Sequence, residues 1–476
     1  MIFIVLILLY FTFLLGIGFI AKKRSNNTPE DYFLAGRSFG VIVLFFSLAA
    51  TNFSAFTFLG FAGNAYKSGF GQYGIMAFGT GFMAIMFYVI GRKVWLLGKT
   101  NGYVTPAELI GAHFNSLKLR ILVMGVMVIF TIPYLATQAI GAGMIVEYVT
   151  QGEFSWMIGS VVTMLVIMVY VLFGGMRGSG WTDVIQGIIM TFALVLAVIF
   201  VARGLGGFEQ ANLNAYQMNP SSFTRPGIIG SFTPMIWLSF LLLWLFADPM
   251  FPQIFSRFYT AKNQQSLKYS MVLYPLLISF LFLCPVLIGV WAHGSPMDIS
   301  VGSSDMILPF MVENYAPSAV FLFVMLGALA ALMSTADSQL LSLSTMISQD
   351  IPFHKNRFSK IFLGKLMIIL LTGFGISYVI LGWDPNVGIM GTLVQTTFPG
   401  LAVLFPTVIA ILYWKGVDEW GCIISIIGGE IIVFILTFNI IPSFGILSGV
   451  WGVSGASILL FGVSFFKNMK KPMIES

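Results

Sequence analysis

The stretch Ala331-Leu-Met-Ser334-Thr335-Ala-Asp337-Ser338-Gln339 lies in the middle of an apolar run of the chain. In a helix, residues three and four apart are neighbours, so the two serines, the threonine and Ala331 share one face. That face offers hydroxyl oxygens beside a backbone carbonyl, and the Asp337 carboxylate lies one position away. Oxygen ligands of this kind suit a hard cation such as Na⁺. Because polar groups at membrane depth are costly unless they line a site or cavity, the stretch predicts a cation site inside a membrane helix.

The composition of the whole chain indicates a membrane protein. Of its 476 residues, 58% are hydrophobic and 9% are charged, and the mean hydropathy is +0.93. Soluble domains carry far more charge, so we expect an all-α polytopic protein whose surroundings are the lipid bilayer. The net charge of +6 does not predict a nucleic-acid partner, because the basic residues follow the membrane topology described next.

Apolar runs long enough to cross a bilayer recur along the entire chain. The first run is followed by Lys22-Lys23-Arg24, whereas a secretory signal carries its positive charges before the apolar segment. We therefore predict a retained first helix with its N-terminus outside. The 13 predicted spans are 2–20, 39–66, 71–97, 119–149, 154–174, 182–203, 233–258, 270–292, 315–349, 360–382, 388–414, 419–440 and 444–466.

The distribution of basic residues supports this topology. With the N-terminus outside, 21 of the 24 Lys and Arg residues, Arg257 among them, fall on the cytoplasmic side. The outside keeps only Lys67, Arg203 and Arg225. This asymmetry follows the positive-inside rule. It predicts a multi-pass protein of the plasma membrane with a cytoplasmic C-terminus.

Two predicted spans contain unusual breaks at corresponding places. Span 39–66 carries the small and polar patch Ser47-Leu-Ala-Ala-Thr-Asn-Phe-Ser54, and span 233–258 carries Phe246-Ala-Asp248-Pro249-Met-Phe-Pro252. Proline removes a backbone donor and breaks the helix, and the freed carbonyls are tolerated only where they line a cavity. These spans begin two groups of five helices, 39–203 and 233–414, flanked by helix 2–20 and two C-terminal helices in 419–466. Interrupted helices at matching places indicate the inverted repeats of a transporter in a single transmembrane domain, with its site at the midplane.

The polar residues of the first break are candidate ligands. The carbonyls of Ala50 and Phe53 are expected to complete the oxygen shell around the cation held by Ser334 and Thr335. Asn52, Ser54 and Thr57 are candidate solute contacts. The alternative for these side chains is hydrogen bonding between helices.

A second cation position is predicted beside the first. Asp183 lies one turn into a helix that enters from the cytoplasm, at a depth similar to that of Asp337 and Ser338. These three residues together suit a cation. The alternative for Asp183 is an acidic residue that complements the helix dipole and pairs with Arg177.

Five further residues are candidate solute contacts. Asp248 lies near mid-membrane with Trp244 one turn before it, so its carboxylate is suited to a solute ammonium group. The alternative is pairing with backbone donors freed by the proline break. Tyr134, Gln138 and Gln395 project from helices 119–149 and 388–414, and interhelical bonding is the alternative for each.

In these motifs the chain resembles the sodium:solute symporter family, which includes proline, pantothenate, sialic acid and glucose cotransporters. The similarity covers nearly the whole chain in order. The matching signatures are Ala49-Ala-Thr-Asn-Phe-Ser54, Gly174-Gly175 with Trp181-Thr182-Asp183, Gln253 with Arg257, and Ala331-Leu-Met-Ser334-Thr335.

The resemblance implies a leucine-transporter-like core of two inverted five-helix repeats, with one extra helix before it and two after it. It implies a Na⁺ site between the first and eighth core helices, formed by the carbonyls of Ala50, Phe53 and Ala331 and the hydroxyls of Ser334 and Thr335. In some relatives an aspartate matching Asp183 and hydroxyls of the eighth helix bind a second Na⁺. Here those hydroxyl positions are Asp337 and Ser338, so a proton is an alternative occupant.

The sequence narrows the solute without naming it. We expect no Lys or Arg at mid-membrane, so a strongly anionic solute has no evident partner. In sugar-carrying relatives a gating aromatic falls near Asp248, and this departure favours a zwitterionic or amine-bearing solute such as an amino acid. The predicted function is Na⁺-coupled import by alternating access. The alternatives are symport of a carboxylate or vitamin such as pantothenate or a monocarboxylate, and proton coupling.

Other functional classes fit the residues less well. Gly69-Phe-Gly71-Gln-Tyr-Gly74 matches a dinucleotide motif, but no strand precedes it. An enzyme needs a nucleophile with a base or a metal cluster, and His113, His293 and His354 all lie near loops. A channel needs polar residues along whole helices, and a membrane sensor needs a signalling domain. We therefore predict a transporter that is not an enzyme, uses Na⁺ without an organic cofactor and works as a monomer.

Overall fold

The computed structural model describes residues 2–228, 230–297, 304–352, 359–381 and 388–469. In these ranges the chain is helical throughout, apart from turns and a single β-bridge between Phe39 and Ala261. This confirms the predicted all-α class. His354, Lys355, Arg357, Lys470 and Lys471, used above for the topology and the enzyme alternative, lie outside the described residues.

Ten described helices are long and apolar enough to cross a membrane, and two bent pairs of helices bring the number to 12 if each pair is counted as one span. The bent pairs are Val41–Asn52 with Phe56–Ser68, here called the first broken helix, and Pro234–Met250 with Pro252–Thr260, the second broken helix. The single spans are Ile2–Lys23, Gly71–Asn101, Leu117–Val149, Trp156–Gly204, Gln264–Gly294, Ser318–Asp350, Lys360–Leu381, Leu393–Tyr413, Glu419–Thr437 and Ser448–Lys467.

The Trp156–Gly204 helix contains two of the predicted spans. Its 49 residues would extend about 74 Å if straight, more than twice the roughly 30 Å of a hydrocarbon core. The helix breaks at Gly175, where φ is 52°. A Cβ there would lie 2.6 Å from the Tyr32 carbonyl oxygen, so the position requires glycine. Counted as two crossings, this helix brings the described part of the chain to the 13 predicted spans.

The first broken helix bends by 59°. Its Phe53 is extended, with φ −83° and ψ 115°, and the turn after it is wound as a π-helix, Phe56–Gly60. The backbone groups freed by the break are capped by side chains. The Gln138 oxygen accepts a hydrogen bond from the Ala55 amide at 2.9 Å, and the Ser54 hydroxyl accepts one from the Phe56 amide at 3.2 Å.

The second broken helix bends by 53°. Pro249 and Pro252 lie on either side of Phe251, where the backbone is extended, which confirms the break predicted from the prolines.

Predicted span 388–414 is also irregular, because Leu393–Thr397 is π-helical and separate helices Phe398–Ala402 and Phe405–Tyr413 follow it. The division into repeats at 39–203 and 233–414 stays a prediction.

Candidate cation and solute sites

Five oxygens meet where the first broken helix crosses the Ser318–Asp350 helix. The Ser334 hydroxyl lies 2.9 Å from the carbonyl oxygens of both Ala50 and Ala331. The Thr335 hydroxyl lies 2.8 Å from the Phe53 carbonyl oxygen and 3.2 Å from that of Ala331. All five residues are fully buried. The Ala50, Phe53, Ala331, Ser334 and Thr335 set predicted from the sequence is therefore brought together at one point, here called the first cation site.

The break in the helix makes these carbonyls available. In an unbroken helix the carbonyls of Ala50 and Phe53 would accept bonds from amides four residues later. Here the chain leaves helical geometry at Phe53, and both carbonyls face hydroxyls of the other helix instead. Three carbonyls and two hydroxyls form an uncharged set of hard oxygen donors that fits Na⁺. The Thr51 carbonyl, 3.1 Å from the Thr335 hydroxyl, joins this set without having been predicted.

A second polar cluster lies one turn further along the Ser318–Asp350 helix. The Arg257 guanidinium is fully buried in it and forms an ion pair with Asp183 at 3.0 Å. The same Nη2 donates to the Ser338 hydroxyl at 2.5 Å and to the Ser179 hydroxyl at 2.9 Å. Asp183, Asp337 and Ser338 are thus brought together as predicted. The Arg257 guanidinium contacts Asp183 and Ser338 directly, and Ser338 in turn donates to Asp337.

Arg257 corrects one expectation. It is not an exposed residue of a cytoplasmic loop, because its side chain is fully buried and paired with Asp183. The residue belongs to Pro252–Thr260, the short helix after the break, and every residue of that helix is buried. The break turns this helix into the bundle, so its arginine reaches Asp183. The sequence did contain a signal for this burial. Gln253 and Arg257 form one of the family signatures, and they lie in a segment that was counted as part of a membrane span.

Among the described residues, the side chains that bond to Asp337 are all hydroxyl donors. It accepts hydrogen bonds from Tyr170 at 2.9 Å, Ser338 at 2.9 Å and Ser179 at 3.0 Å. With both aspartates ionised and Arg257 charged, the cluster keeps one net negative charge in a buried volume. Asp183 also keeps Oδ1 without a hydrogen-bond partner among the described residues. A further cation or a proton would balance that charge.

Arg177 does not pair with Asp183, which removes that part of the alternative. Its Nη2 lies 2.5 Å from Oδ1 of Asp31, in the short helix Pro29–Leu34 outside the membrane spans. Burial raises the pKa of the Asp31 carboxyl, but hydrogen bonds from Arg177, Ser25 and the Asn26 amide outweigh it and lower the pKa below its usual value. Asp183 instead accepts a hydrogen bond from Ser47 at 2.5 Å, a contact that the sequence did not indicate.

A third cluster joins the two broken helices. The Asn52 amide nitrogen donates to the Asp248 carboxylate at 2.9 Å and lies 2.5 Å from the Tyr274 hydroxyl. Asp248 is 2% exposed, and Asn52 is its one side-chain donor among the described residues. A buried carboxylate with spare acceptor capacity favours a cationic partner. Tyr274 was not predicted, since it lies in a long helix of unremarkable apolar pattern.

Aromatic rings pack together beside the same two breaks. Trp244 packs on Phe398 with ring centroids 4.8 Å apart and on Phe56 at 5.8 Å. The Tyr134 ring packs on Phe251 at 5.6 Å, and its hydroxyl donates to Ser54 at 3.3 Å. The predicted residues Trp244 and Tyr134 therefore belong to one aromatic cluster, joined through Phe398 at 4.8 Å and 6.2 Å. This cluster, together with Asp248 and Asn52 at the two breaks, is here called the enclosure.

Known proteins resemble this chain in sequence and in fold. The sequence profile described as the sodium:solute symporter family matches residues 32–429. The chain belongs to the sodium:solute symporter family. As a member of this family the chain is a membrane transport protein with sodium as the coupling ion.

Named relatives and a solved structure support the assignment. The sodium/pantothenate symporter of Escherichia coli (strain K12) is 27% identical over 439 residues, 90% of each chain. The high-affinity proline transporter PutP of Bacillus subtilis (strain 168) is 26% identical over 438 residues, 89% of each chain. A Na⁺-coupled sialic acid symporter, solved substrate-bound and outward-open, is 20% identical with a TM-score of 0.82 over 98% of each chain. At that identity the last shows the fold alone, a leucine-transporter-like one.

Three residues predicted to contact the solute instead bond to the backbone at the first break, and a fourth lies away from the enclosure. Ser54 and Gln138 cap the first broken helix, as described above, and Thr57 accepts from the Ser54 amide at 3.5 Å. Gln395 is not brought together with the others, because its side chain is exposed in a groove on the outer side of the bundle. Gln395 lies within the π-helical turn Leu393–Thr397, whereas Phe398, the next residue after that turn, packs on Trp244.

Proposed function

We propose that this symporter imports a small zwitterionic or amine-bearing solute by alternating access, driven by Na⁺. The observation that supports it is the set of five oxygens between the first broken helix and the Ser318–Asp350 helix. Na⁺ bound there joins the two elements and stabilises the state that accepts solute from outside. We place the protein in the plasma membrane with its N-terminus outside, working as a monomer without an organic cofactor.

The ion gradient supplies enough free energy for accumulation. One charge that moves through 100 mV releases about 2.3 kcal/mol. A tenfold Na⁺ gradient adds about 1.4 kcal/mol. Together these correspond to a solute concentration ratio of roughly several hundred for one Na⁺ per solute.

The solute is assigned to the enclosure around Asp248. Its carboxylate suits an ammonium group, and the rings of Trp244 and Tyr134 suit an apolar body. The carboxylate would repel an acid without an amine, which places amino acids ahead of pantothenate or a monocarboxylate. One relative is a proline transporter, so L-proline is the first solute to test. A thermal-shift screen of small solutes with and without Na⁺ covers the alternatives.

Replacing both hydroxyls of the first cation site, Ser334→Ala with Thr335→Ala, should raise the Na⁺ concentration for half-maximal uptake. Each hydroxyl ligand contributes about 1 kcal/mol, so we expect an increase of roughly 10- to 100-fold. The measurement is Na⁺-dependent uptake of L-proline into proteoliposomes, with the thermal-shift solute used if L-proline is not transported.

Ser344→Ala is the matched control. Ser344 lies in the same helix, and its hydroxyl donates to the Leu341 carbonyl of its own turn at 2.8 Å. This variant should keep the wild-type Na⁺ dependence. An unchanged Na⁺ dependence in the double variant, or equal uptake in choline medium, would show that the five oxygens do not bind the coupling ion.

Asp337→Asn should lower by one the number of cations moved with each solute. The variant removes the one negative charge that Arg257 leaves unbalanced, so the cluster no longer needs a second cation. The reversal potential of solute-coupled current in proteoliposomes measures this number. If the wild-type reversal potential shifts with the Na⁺ gradient alone, the second cation is Na⁺. If it also shifts with the pH gradient, the second cation is a proton. Equal reversal potentials in wild type and variant would exclude a transported cation at this cluster.

A further inference from the structure

A groove on the surface of the helical bundle contains a carboxylate. The transport mechanism proposed above does not use it. The groove has a volume of about 500 Å³ and lies between the Leu117–Val149 helix, the π-helical turn at Leu393–Thr397 and the Glu419–Thr437 helix. Its walls are almost entirely apolar, with Phe130 on one side and Phe434 on another. Small-molecule sites have volumes in this range and the same mix of apolar walls with few polar groups.

Glu430 lines the groove with both carboxylate oxygens buried and without a hydrogen-bond partner among the described residues. A carboxyl group in such surroundings is costly unless a cation pairs with it or it carries a proton. Gln395 adds an exposed amide at the rim, and Thr396 adds a hydroxyl. The groove thus combines a few polar side chains with apolar walls.

The depth of Glu430 argues against a phospholipid headgroup as the cation. It lies seven residues before the helix ends at Thr437, roughly 10 Å along the axis at 1.5 Å per residue. Headgroups lie outside the hydrocarbon core. A molecule that meets this carboxylate must therefore carry its charge into the core on an apolar body.

We propose that this groove binds a lipophilic amine, with the ammonium group on Glu430 and the apolar body against Phe130 and Phe434. The groove and the solute enclosure lie on two sides of the same short segment. Gln395 and Thr396 face the groove, whereas Phe398 packs on Trp244 and, at 5.2 Å, on Phe251. Occupation of the groove should hold this segment in place and slow transport.

The test is equilibrium binding of radiolabelled 4-phenylbutylamine to the purified full-length protein in nanodiscs. Glu430→Gln keeps the side-chain shape but removes the charge, and it should weaken binding at least tenfold. Glu419→Gln removes a carboxylate from the start of the same helix, outside the groove, and should bind as wild type does. 4-Phenylbutanol has the same body without the charge and should compete at least tenfold less well.

The outcomes separate the occupants. Equal binding of the amine by wild type and Glu430→Gln, with the same thermal unfolding midpoint in both, overturns the proposal. Equal competition by 4-phenylbutanol shows an apolar groove without charge recognition and also overturns it. Displacement of the amine by added phosphatidylethanolamine at equimolar concentration assigns the groove to membrane lipid instead. None of these results depends on Na⁺ or on solute uptake, so the proposed transport function is tested separately.

Discussion

Arg257→Met is expected to destabilise the symporter by about 3–5 kcal/mol, since removal of one partner of a buried ion pair leaves the other charge uncompensated. Arg257 and Asp183 are both fully buried and 3.0 Å apart. Without the guanidinium, two carboxylates would share a volume closed to water. Equilibrium unfolding in mixed micelles, followed by tryptophan fluorescence, measures the loss.

A second substitution tests whether charge is the cause. Asp183→Asn in the Arg257→Met background removes one of the two uncompensated carboxylates and should recover part of the lost stability. Lys467→Met is the control, because Lys467 is 42% exposed in its pair with Asp418 and such pairs contribute about 0–1 kcal/mol. If the double variant were no more stable than Arg257→Met, lost packing rather than unbalanced charge would account for the effect.

Asp248→Asn is expected to weaken binding of an amine-bearing solute by about 2–5 kcal/mol, the range for loss of one partner of a buried charge pair. This corresponds to a rise of roughly 30- to several thousand-fold in the dissociation constant. Asparagine keeps the size of the side chain, so the enclosure around Trp244 and Tyr134 should persist. Binding of L-proline at saturating Na⁺, or of the solute found by thermal shift, is the measurement.

Two further results complete this test. Glu153→Gln makes the same carboxyl-to-amide change on an exposed loop and should not alter solute affinity. Na⁺ binding in the absence of solute should be unchanged in Asp248→Asn, because the first cation site contains none of its atoms. If Asp248→Asn bound the solute as tightly as wild type does, Asp248 would not be the partner of a solute ammonium group. Acids such as pantothenate would then again be candidate solutes.

Local features of the chain allowed much of the fold to be predicted. Apolar run lengths located the membrane helices, and the prolines around Phe251 located the second break, because a missing amide acts within its own turn. The two C-terminal helices were predicted from the same signal. Their boundaries differ, since Ser448–Met469 begins four residues after the predicted start, beyond positive φ angles at Phe444 and Gly445.

Contacts between distant segments could not be predicted in the same way. Arg257 and Asp183 are 74 residues apart in sequence, and Asn52 and Tyr274 are 222 apart. Neither pairing follows from periodicity, because each depends on which faces of two distant helices pack together. Gln395 shows the same limit, since it lies in a π-helical turn and lines the groove rather than the expected enclosure.

The sequence by itself determined the membrane class, the all-helical architecture and the proline break, because hydropathy and proline act locally. The five oxygens proposed for Na⁺ come from two distant segments, and the resemblance to a known family supplied that set. The tertiary structure alone decided that the Arg257 guanidinium pairs with Asp183 and Ser338, that Asn52 bonds to Tyr274 and that Glu430 has no hydrogen-bond partner among the described residues. Those facts depend on which helix faces which. In an apolar chain, packing of many similar side chains sets that choice, and no single stretch of sequence carries it.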